Sequence, residues 1–239
     1  MTTGCSSGSE PRARPSPNQD ERPPGTAVDT LVLHYTGMRS VGLALDRLRD
    51  PAAKVSAHWL VDEDGTILAL VPESRRAWHA GISAWADRSG LNGSSIGVEI
   101  VNPGHEWGYR PFPEAQILAV IRLCRGILRR WPIPPARVLA HSDIAPDRKT
   151  DPGELFPWPR LAAAGIGRWP AAGGEPVADP RASLRAIGYP VDQEGVGLEL
   201  ALAAFQRRYR PGRVDGLADP ETCRLLGAVE RLQFGDASW

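Results

Sequence analysis

Apolar and polar positions alternate with two different periods along this chain, and the periods divide it into elements. Residues 30–36, Thr30-Leu31-Val32-Leu33-His34-Tyr35-Thr36, form a short apolar run that reads as a buried strand. Ser40 then caps a helix reaching Arg49, with Val41, Leu45 and Leu48 on one face. Residues 55–61 and 66–71 read as two strands joined by the turn Asp62-Glu63-Asp64-Gly65. In residues 95–101, Ile96, Val98 and Ile100 share one face, which places Glu99 on the other. Pro113 opens a helix carrying Ile117, Val120, Ile121, Cys124, Ile127 and Leu128 at helical spacing, and Trp131-Pro132 ends it. Residues 137–141 read as a last short strand, with His141 on the face of Leu139. Strands mixed with helices predict an α/β domain: a mixed central β-sheet flanked by helices, with both faces occupied.

The segments between these elements set the domain organisation. Residues 1–25 are rich in Pro, Ser, Gly and charge and read as a disordered tail, because they bury too little apolar surface to offset ordering entropy. Residues 72–92 form a long loop carrying Gly, Ser and Trp, and loops of that length are often functional. The main domain is expected over residues 26–164, followed by a Gly-, Pro- and Ala-rich linker over 165–179. Three short helical patterns follow, at 181–187, 197–208 and 220–229, separated by Gly188-Tyr189-Pro190 and Asp215-Gly216. They predict a small three-helix C-terminal domain over residues 180–233, marginal by itself.

Composition narrows the function classes. The 28 basic and 28 acidic residues cancel, which argues against nucleic acid as a partner. No apolar run is long enough to span a bilayer. Cys5, Cys124 and Cys223 form no Cys-x-x-Cys pair, so neither a cysteine-based zinc site nor a redox motif is suggested. Gly4-Cys5-Ser6-Ser7 has the look of a lipoprotein cleavage remnant, but no charged or apolar leader precedes Cys5. A cytoplasmic protein is therefore expected, with periplasmic or lipid-anchored placement as the alternative if the true start lies upstream of Met1.

His34, His141 and Asp151 are the candidate metal ligands. Two imidazoles and one carboxylate suit a borderline-soft divalent cation, and three protein ligands leave a fourth position for water. Their wide spacing does not select this reading. His34 and His141 can equally be hydrogen-bonded core histidines, Asp151 before Pro152 a helix N-cap, and Lys149 a solvated loop lysine. Glu99 is harder to set aside, since a carboxylate within Ile96-Gly97-Val98-Glu99-Ile100-Val101 is costly to bury without a partner.

Several segments, in order, carry a family resemblance: Leu33-His34-Tyr35-Thr36, Val55-Ser56-Ala57-His58-Trp59-Leu60-Val61, Ala77-Trp78-His79-Ala80-Gly81, Asn92-Gly93-Ser94-Ser95-Ile96-Gly97-Val98-Glu99-Ile100 and Lys149-Thr150-Asp151-Pro152-Gly153. Over about residues 29–160 the chain resembles the zinc-dependent N-acetylmuramoyl-L-alanine amidases, the superfamily that includes phage endolysin amidases and peptidoglycan recognition proteins. The resemblance implies that His34, His141 and Asp151 bind one Zn2+, that Glu99 is the general base and carries the proton to the leaving amine, and that Lys149 stabilises the oxyanion. It implies a peptidoglycan or muropeptide substrate, cut between N-acetylmuramic acid (or its 1,6-anhydro form) and L-alanine, in wall degradation or recycling. Ala57 stands where some relatives carry a tyrosine, which leaves the proton work to Glu99; His58 is expected as a structural core residue, not a ligand. Trp78, His79 and Asn92 are candidates for the substrate groove, with packing an equal reading for Trp78 and His79; His105 is expected at the surface.

Leu184, Gly188-Tyr189, Ala204-Phe205-Gln206-Arg207-Arg208-Tyr209, Asp215-Gly216 and Asp219-Pro220-Glu221-Thr222 resemble the three-helix peptidoglycan-binding module. Phe205 and Tyr209, four residues apart, read as its core. The rival functions are a non-catalytic peptidoglycan recognition protein and a wall-anchoring protein. The presence of His34, His141, Asp151, Glu99 and Lys149 together favours the enzyme.

Overall fold

Four parallel strands carry the centre of the protein, and their alternation decides what each face can hold. The computed structural model describes residues 10–170 and 174–234. In chain order the elements are β1 (Arg12–Ala13), β2 (Gln19–Asp20), β3 (Thr30–Tyr35), α1 (Val41–Arg49), β4 (Trp59–Val61), β5 (Ile67–Ala69), β6 (Arg76–Ala77), β7 (Ala84–Trp85), β8 (Arg88–Ser89), β9 (Ser95–Ile100), α2 (Gly104–Trp107), α3 (Glu114–Arg130), β10 (Val138–Ala140), α4 (His141–Ile144), α5 (Trp158–Ala163), α6 (Pro180–Ile187), α7 (Leu198–Tyr209) and α8 (Pro220–Phe234). The main sheet has the order β1-β5-β4-β9-β3-β10. β4, β9, β3 and β10 run parallel, and β5 is antiparallel to β4, so the sheet is mixed as the sequence predicts.

One face of the sheet is packed by apolar side chains. Leu31, Leu33, Ile96, Val98, Ile100 and Val138 pack there against Ile117, Val120, Cys124 and Ile127 of α3. The other face is divided. Val32 and Leu139 pack on Leu184, Phe205 and Leu226 of the C-terminal helices, while Leu60 packs on Ala44 and Leu48 of α1. Between those two apolar patches the same face presents His34 and Glu99, which are strand-register partners.

Two expectations about boundaries need correcting. Residues 10–25 are not a flexible tail: β1 adds a parallel edge strand beside β5, and polar side chains dock the rest. Ser16 donates to the Leu48 carbonyl at 2.6 Å, Asn18 to those of Asp50 and Val55, and Arg22 to those of Glu73, Gly93 and Ser95. An apolar-burial argument overlooks a segment held by side-chain bonds to backbone carbonyls. The Gly4-Cys5-Ser6-Ser7 motif lies outside the described residues.

The second correction is at residues 165–179. Ile166 is fully buried in the α3 core and Trp169 packs against both large apolar clusters, so much of this segment is packed, not a free linker. Its Gly and Pro content hid those two anchors. The three C-terminal helices form at the predicted places, but they have no separate core; they cover the second face of the sheet, which had to be covered by something. Within them Gln206 is fully buried and joins two motif segments, accepting from the backbone N–H groups of Asp215 and Gly216 and donating to Thr222. Gly216 has φ +72° and a Cβ there would lie 2.8 Å from the Glu199 carbonyl oxygen, so the Asp-Gly turn requires glycine. Among the described residues no helix is long and apolar enough to cross a membrane.

Candidate active site

The carboxyl ends of three parallel strands meet at one place, the position where open parallel sheets hold ligands. His34 is the next-to-last residue of β3, Glu99 the next-to-last of β9, and His141 follows directly on β10 as the first residue of α4. Asp151 arrives on the loop after α4, and its carbonyl accepts from Ser142 N at 3.0 Å, which ties the loop back to the helix. The helix N-cap alternative for Asp151 does not form, since the next helix begins at Trp158.

The three candidate ligands converge. His34 Nδ1 lies 2.9 Å from His141 Nδ1 and 3.1 Å from Asp151 Oδ2, and His141 Nδ1 lies 3.0 Å from the same oxygen. All three residues are buried. Neighbouring ligand atoms of a tetrahedral ion with bonds near 2.0–2.1 Å are ~3.3 Å apart, so the triangle needs only a slight opening to admit one.

Hydrogen bonds behind the rings assign their tautomers. His141 Nε2 donates to the Ala80 carbonyl at 3.2 Å, which leaves its Nδ1 as a lone pair facing the site. His34 Nε2 donates to His79 Nδ1 at 3.0 Å; His79 Nε2 donates to Ser95 Oγ at 3.1 Å; Ser95 Oγ donates to the Leu91 carbonyl at 2.6 Å. This chain ends on a backbone acceptor, so it runs in one direction only and leaves His34 Nδ1 unprotonated. Burial, the largest cause, pushes His34 down to about 4 and holds His79 well below the usual range. Burial alone would raise Asp151, but a proton on either the His141 or the His34 ring outweighs it and keeps the carboxylate ionised, as a metal cation in that place would. Three acceptors therefore face one another at hydrogen-bond distance. A cation reconciles them, and the group can hold a divalent metal ion.

Glu99 and Lys149 line a cavity of about 360 Å³ together with His141, Asp151, Tyr35, Trp78 and His79. Glu99 is half-buried and its Oε2 finds no hydrogen-bond partner among the described residues. Burial first, then the Asp151 charge, raises its proton affinity well above that of an ordinary carboxylate, with Lys149 opposing. A buried acceptor left open at the mouth of a cavity is poised for water or substrate. Lys149 is half-buried, and its backbone N–H is fixed to the Ala145 carbonyl at 3.0 Å.

The family profile of the N-acetylmuramoyl-L-alanine amidases matches residues 24–154, more than half of the chain. The chain belongs to the N-acetylmuramoyl-L-alanine amidase family. It is 40% identical over 229 residues to the N-acetylmuramoyl-L-alanine amidase AmiD of Escherichia coli (strain K12), covering 84% of this chain and 82% of AmiD. It is 35% identical over 171 residues to the 1,6-anhydro-N-acetylmuramyl-L-alanine amidase AmpD of Salmonella typhimurium (strain SL1344), covering 64% of this chain and 89% of AmpD. The solved complex of E. coli AmiD with the substrate anhydro-N-acetylmuramic acid-L-Ala-D-gamma-Glu-L-Lys superposes with a TM-score of 0.76 at 37% identity, covering 90% of this chain and 93% of that one.

In this amidase the fold brings His34, His141, Asp151, Glu99 and Lys149 together. The remaining candidates divide. Trp78 lines the cavity and is half-buried. His79 touches the cavity but is buried and engaged behind His34. Asn92 is not among the lining residues; its Oδ1 accepts from the backbone N–H groups of His79 and Ala80 at 3.0 and 2.7 Å and so fixes the segment that orients both ligand rings. His58 is fully buried in the core, accepting from Gly97 N at 2.9 Å. His105 is exposed, yet it binds Tyr35 Oη at 2.9 Å and Glu154 at 3.1 Å on the rim beside Thr150. Sequence reasoning missed the supporting shell of Ser95, the Ala80 carbonyl and Arg148, which donates to that same carbonyl at 2.8 Å. Local pattern carries no signal for it, because each partner acts through a backbone atom or a bond across the sheet.

Proposed function

We propose that this chain hydrolyses the amide bond between the lactyl carbonyl of N-acetylmuramic acid and the L-alanine of the stem peptide, using one zinc ion held by His34, His141 and Asp151. The observation that carries this reading is the convergence of those three lone-pair donors, two of which, His141 and Asp151, line one cavity with Glu99 and Lys149. Two imidazoles and a carboxylate suit zinc, which when bound supplies a Lewis acid and an activated water. Glu99 accepts the proton of the attacking water on its carboxylate and passes it to the alanine nitrogen as the amine leaves. Its raised proton affinity makes it a stronger base than a surface glutamate. Lys149 places its ammonium where the substrate carbonyl oxygen gains negative charge. The chain from His34 through His79 and Ser95 holds the ligand ring in one orientation throughout.

The names of AmpD and of the AmiD complex both specify an anhydro sugar, which supports 1,6-anhydro-muropeptides as substrates here and a place in wall recycling. Reading the C-terminal helices as a peptidoglycan-binding module rests on the sequence resemblance of residues 180–233. The direct test is incubation of the zinc-loaded protein with anhydro-N-acetylmuramic acid-L-Ala-D-γ-Glu-L-Lys, followed by mass spectrometry. The expected products are the free anhydro sugar and an intact tripeptide with a new alanine amine. No release, or cleavage at a later peptide bond, would contradict the proposal.

A further inference from the structure

The one-turn helix α4 carries His141, and its third residue is the most buried charge near the site. Asp143 is fully buried. Its Oδ2 accepts from the backbone N–H of Ala140 at 2.9 Å, which closes the start of the helix. The remaining acceptor capacity of this carboxylate is met from the C-terminal helices. Arg208 of α7 donates to Asp143 Oδ2 at 2.8 Å, and Tyr189, just past α6, donates to Oδ1 at 2.8 Å.

Arg208 is itself only 4% exposed. It also donates to the carbonyl of Val138, in the strand that leads to His141, at 3.0 Å, and its guanidinium carbon lies 4.0 Å from the Trp158 ring centre. α4 is thus gripped at its carboxylate and at the strand before it. Because Ser142 N donates to the Asp151 carbonyl, displacement of this turn moves two candidate ligands, not one. A buried ion pair is costly to break, since the surviving charge is left without a partner. The relief available to an orphaned Asp143 is to draw α4 toward solvent, which takes His141 with it.

We propose that the C-terminal helices are part of the metal site's support, with Arg208 and Tyr189 acting through Asp143 as positioning residues for His141. This rests on the zinc reading given above. It adds that the helices resembling a wall-binding module also set metal affinity in this chain, so they cannot be exchanged as an independent unit.

The test measures zinc affinity of the full chain by chelator competition, alongside the melting temperature. Arg208→Met is expected to weaken zinc binding about ten-fold, in the range seen when outer-shell partners are removed. Tyr189→Phe, which keeps shape, is expected to weaken it about three-fold, and it decides the matter if Arg208→Met does not fold. Adding Asp143→Asn to Arg208→Met should recover part of the loss, because no charge is then stranded. Leu226→Ala, in the same shared core but on α8, should lower the melting temperature with zinc affinity unchanged within about two-fold. The proposal is overturned if folded Arg208→Met and Tyr189→Phe bind zinc as tightly as the wild type, or if Leu226→Ala weakens binding as much as they do. A wild type that binds no zinc is a different result: it overturns the metal reading and takes this one with it.

Discussion

His34 and Glu99 are register partners on adjacent parallel strands, β3 and β9, so their side chains leave the same face of the sheet side by side. One offers a lone pair to the metal group and the other an unsatisfied carboxylate oxygen to the cavity. Strand spacing of about 4.8 Å fixes their separation without any loop having to close. Glu99→Gln should therefore keep the metal and lose ~10²–10⁴-fold in turnover. It should not lower the melting temperature, because a poorly paired carboxylate is replaced by a neutral amide. Metal content, kcat and a thermal melt on the same sample check all three; near-normal turnover would remove Glu99 as the base.

Lys149 is expected to act on the reaction, not on metal retention. Lys149→Met should lower kcat by ~10²–10³-fold, the usual loss for one donor aimed at a developing oxyanion. KM should change little. Steady-state kinetics with a soluble anhydro-muropeptide separates the two, and a change confined to KM would make Lys149 a binding residue only.

The His79 relay predicts an effect at a distance from the metal. A Cβ on Gly97 would lie 2.4 Å from His79 Cγ, so Gly97→Ala must displace the ring that accepts from His34. Both Gly97→Ala and His79→Ala should weaken metal binding by ~10–100-fold. Isothermal titration of the metal-free proteins measures this directly; unchanged affinity in both would show that His34 needs no such orientation.

Acid stability follows from the buried histidines. Burial pushes His58 down to about 4 from its usual 6.5. Between those values the unfolded chain binds a proton that the folded chain refuses. Stability is thus complete above pH 6.5 and falls as the pH drops toward 4. The loss is ~1.4 kcal/mol per pH unit for one such group, about 3 kcal/mol in all. Urea melts at pH 7.5, 6.0 and 5.0 should show at least that slope, because His34 and His79 are buried neutral as well, and His58→Gln should reduce it by one group's share. A flat profile in the wild type would contradict the burial of a neutral ring.

The sequence displayed the frame of this site more plainly than its support. Alternation alone put Glu99 opposite Ile96 and Val98, and the structure places it there, because a strand buried on both faces leaves no other way for that side chain to point. The helix with Ile117, Val120 and Cys124 was equally legible from its period. Residues 10–25 were not, since their order comes from Asn18 and Arg22 reaching distant carbonyls. Nor was the role of the C-terminal helices, because nothing local in Arg208 announces that its partner is Asp143, 65 residues earlier in the chain. His79 was visible as a candidate beside Trp78, but its direction depends on Ser95, which only strand pairing brings beneath it.

The proposed hydrolysis needs one ion shared by His34, His141 and Asp151. Elemental analysis of the purified chain, before and after His141→Ala, tests this most directly. About one zinc per chain in the wild type, removable by a chelator together with activity and absent from His141→Ala, is the predicted result. Amide cleavage that persists in a chain freed of all divalent metal would contradict it.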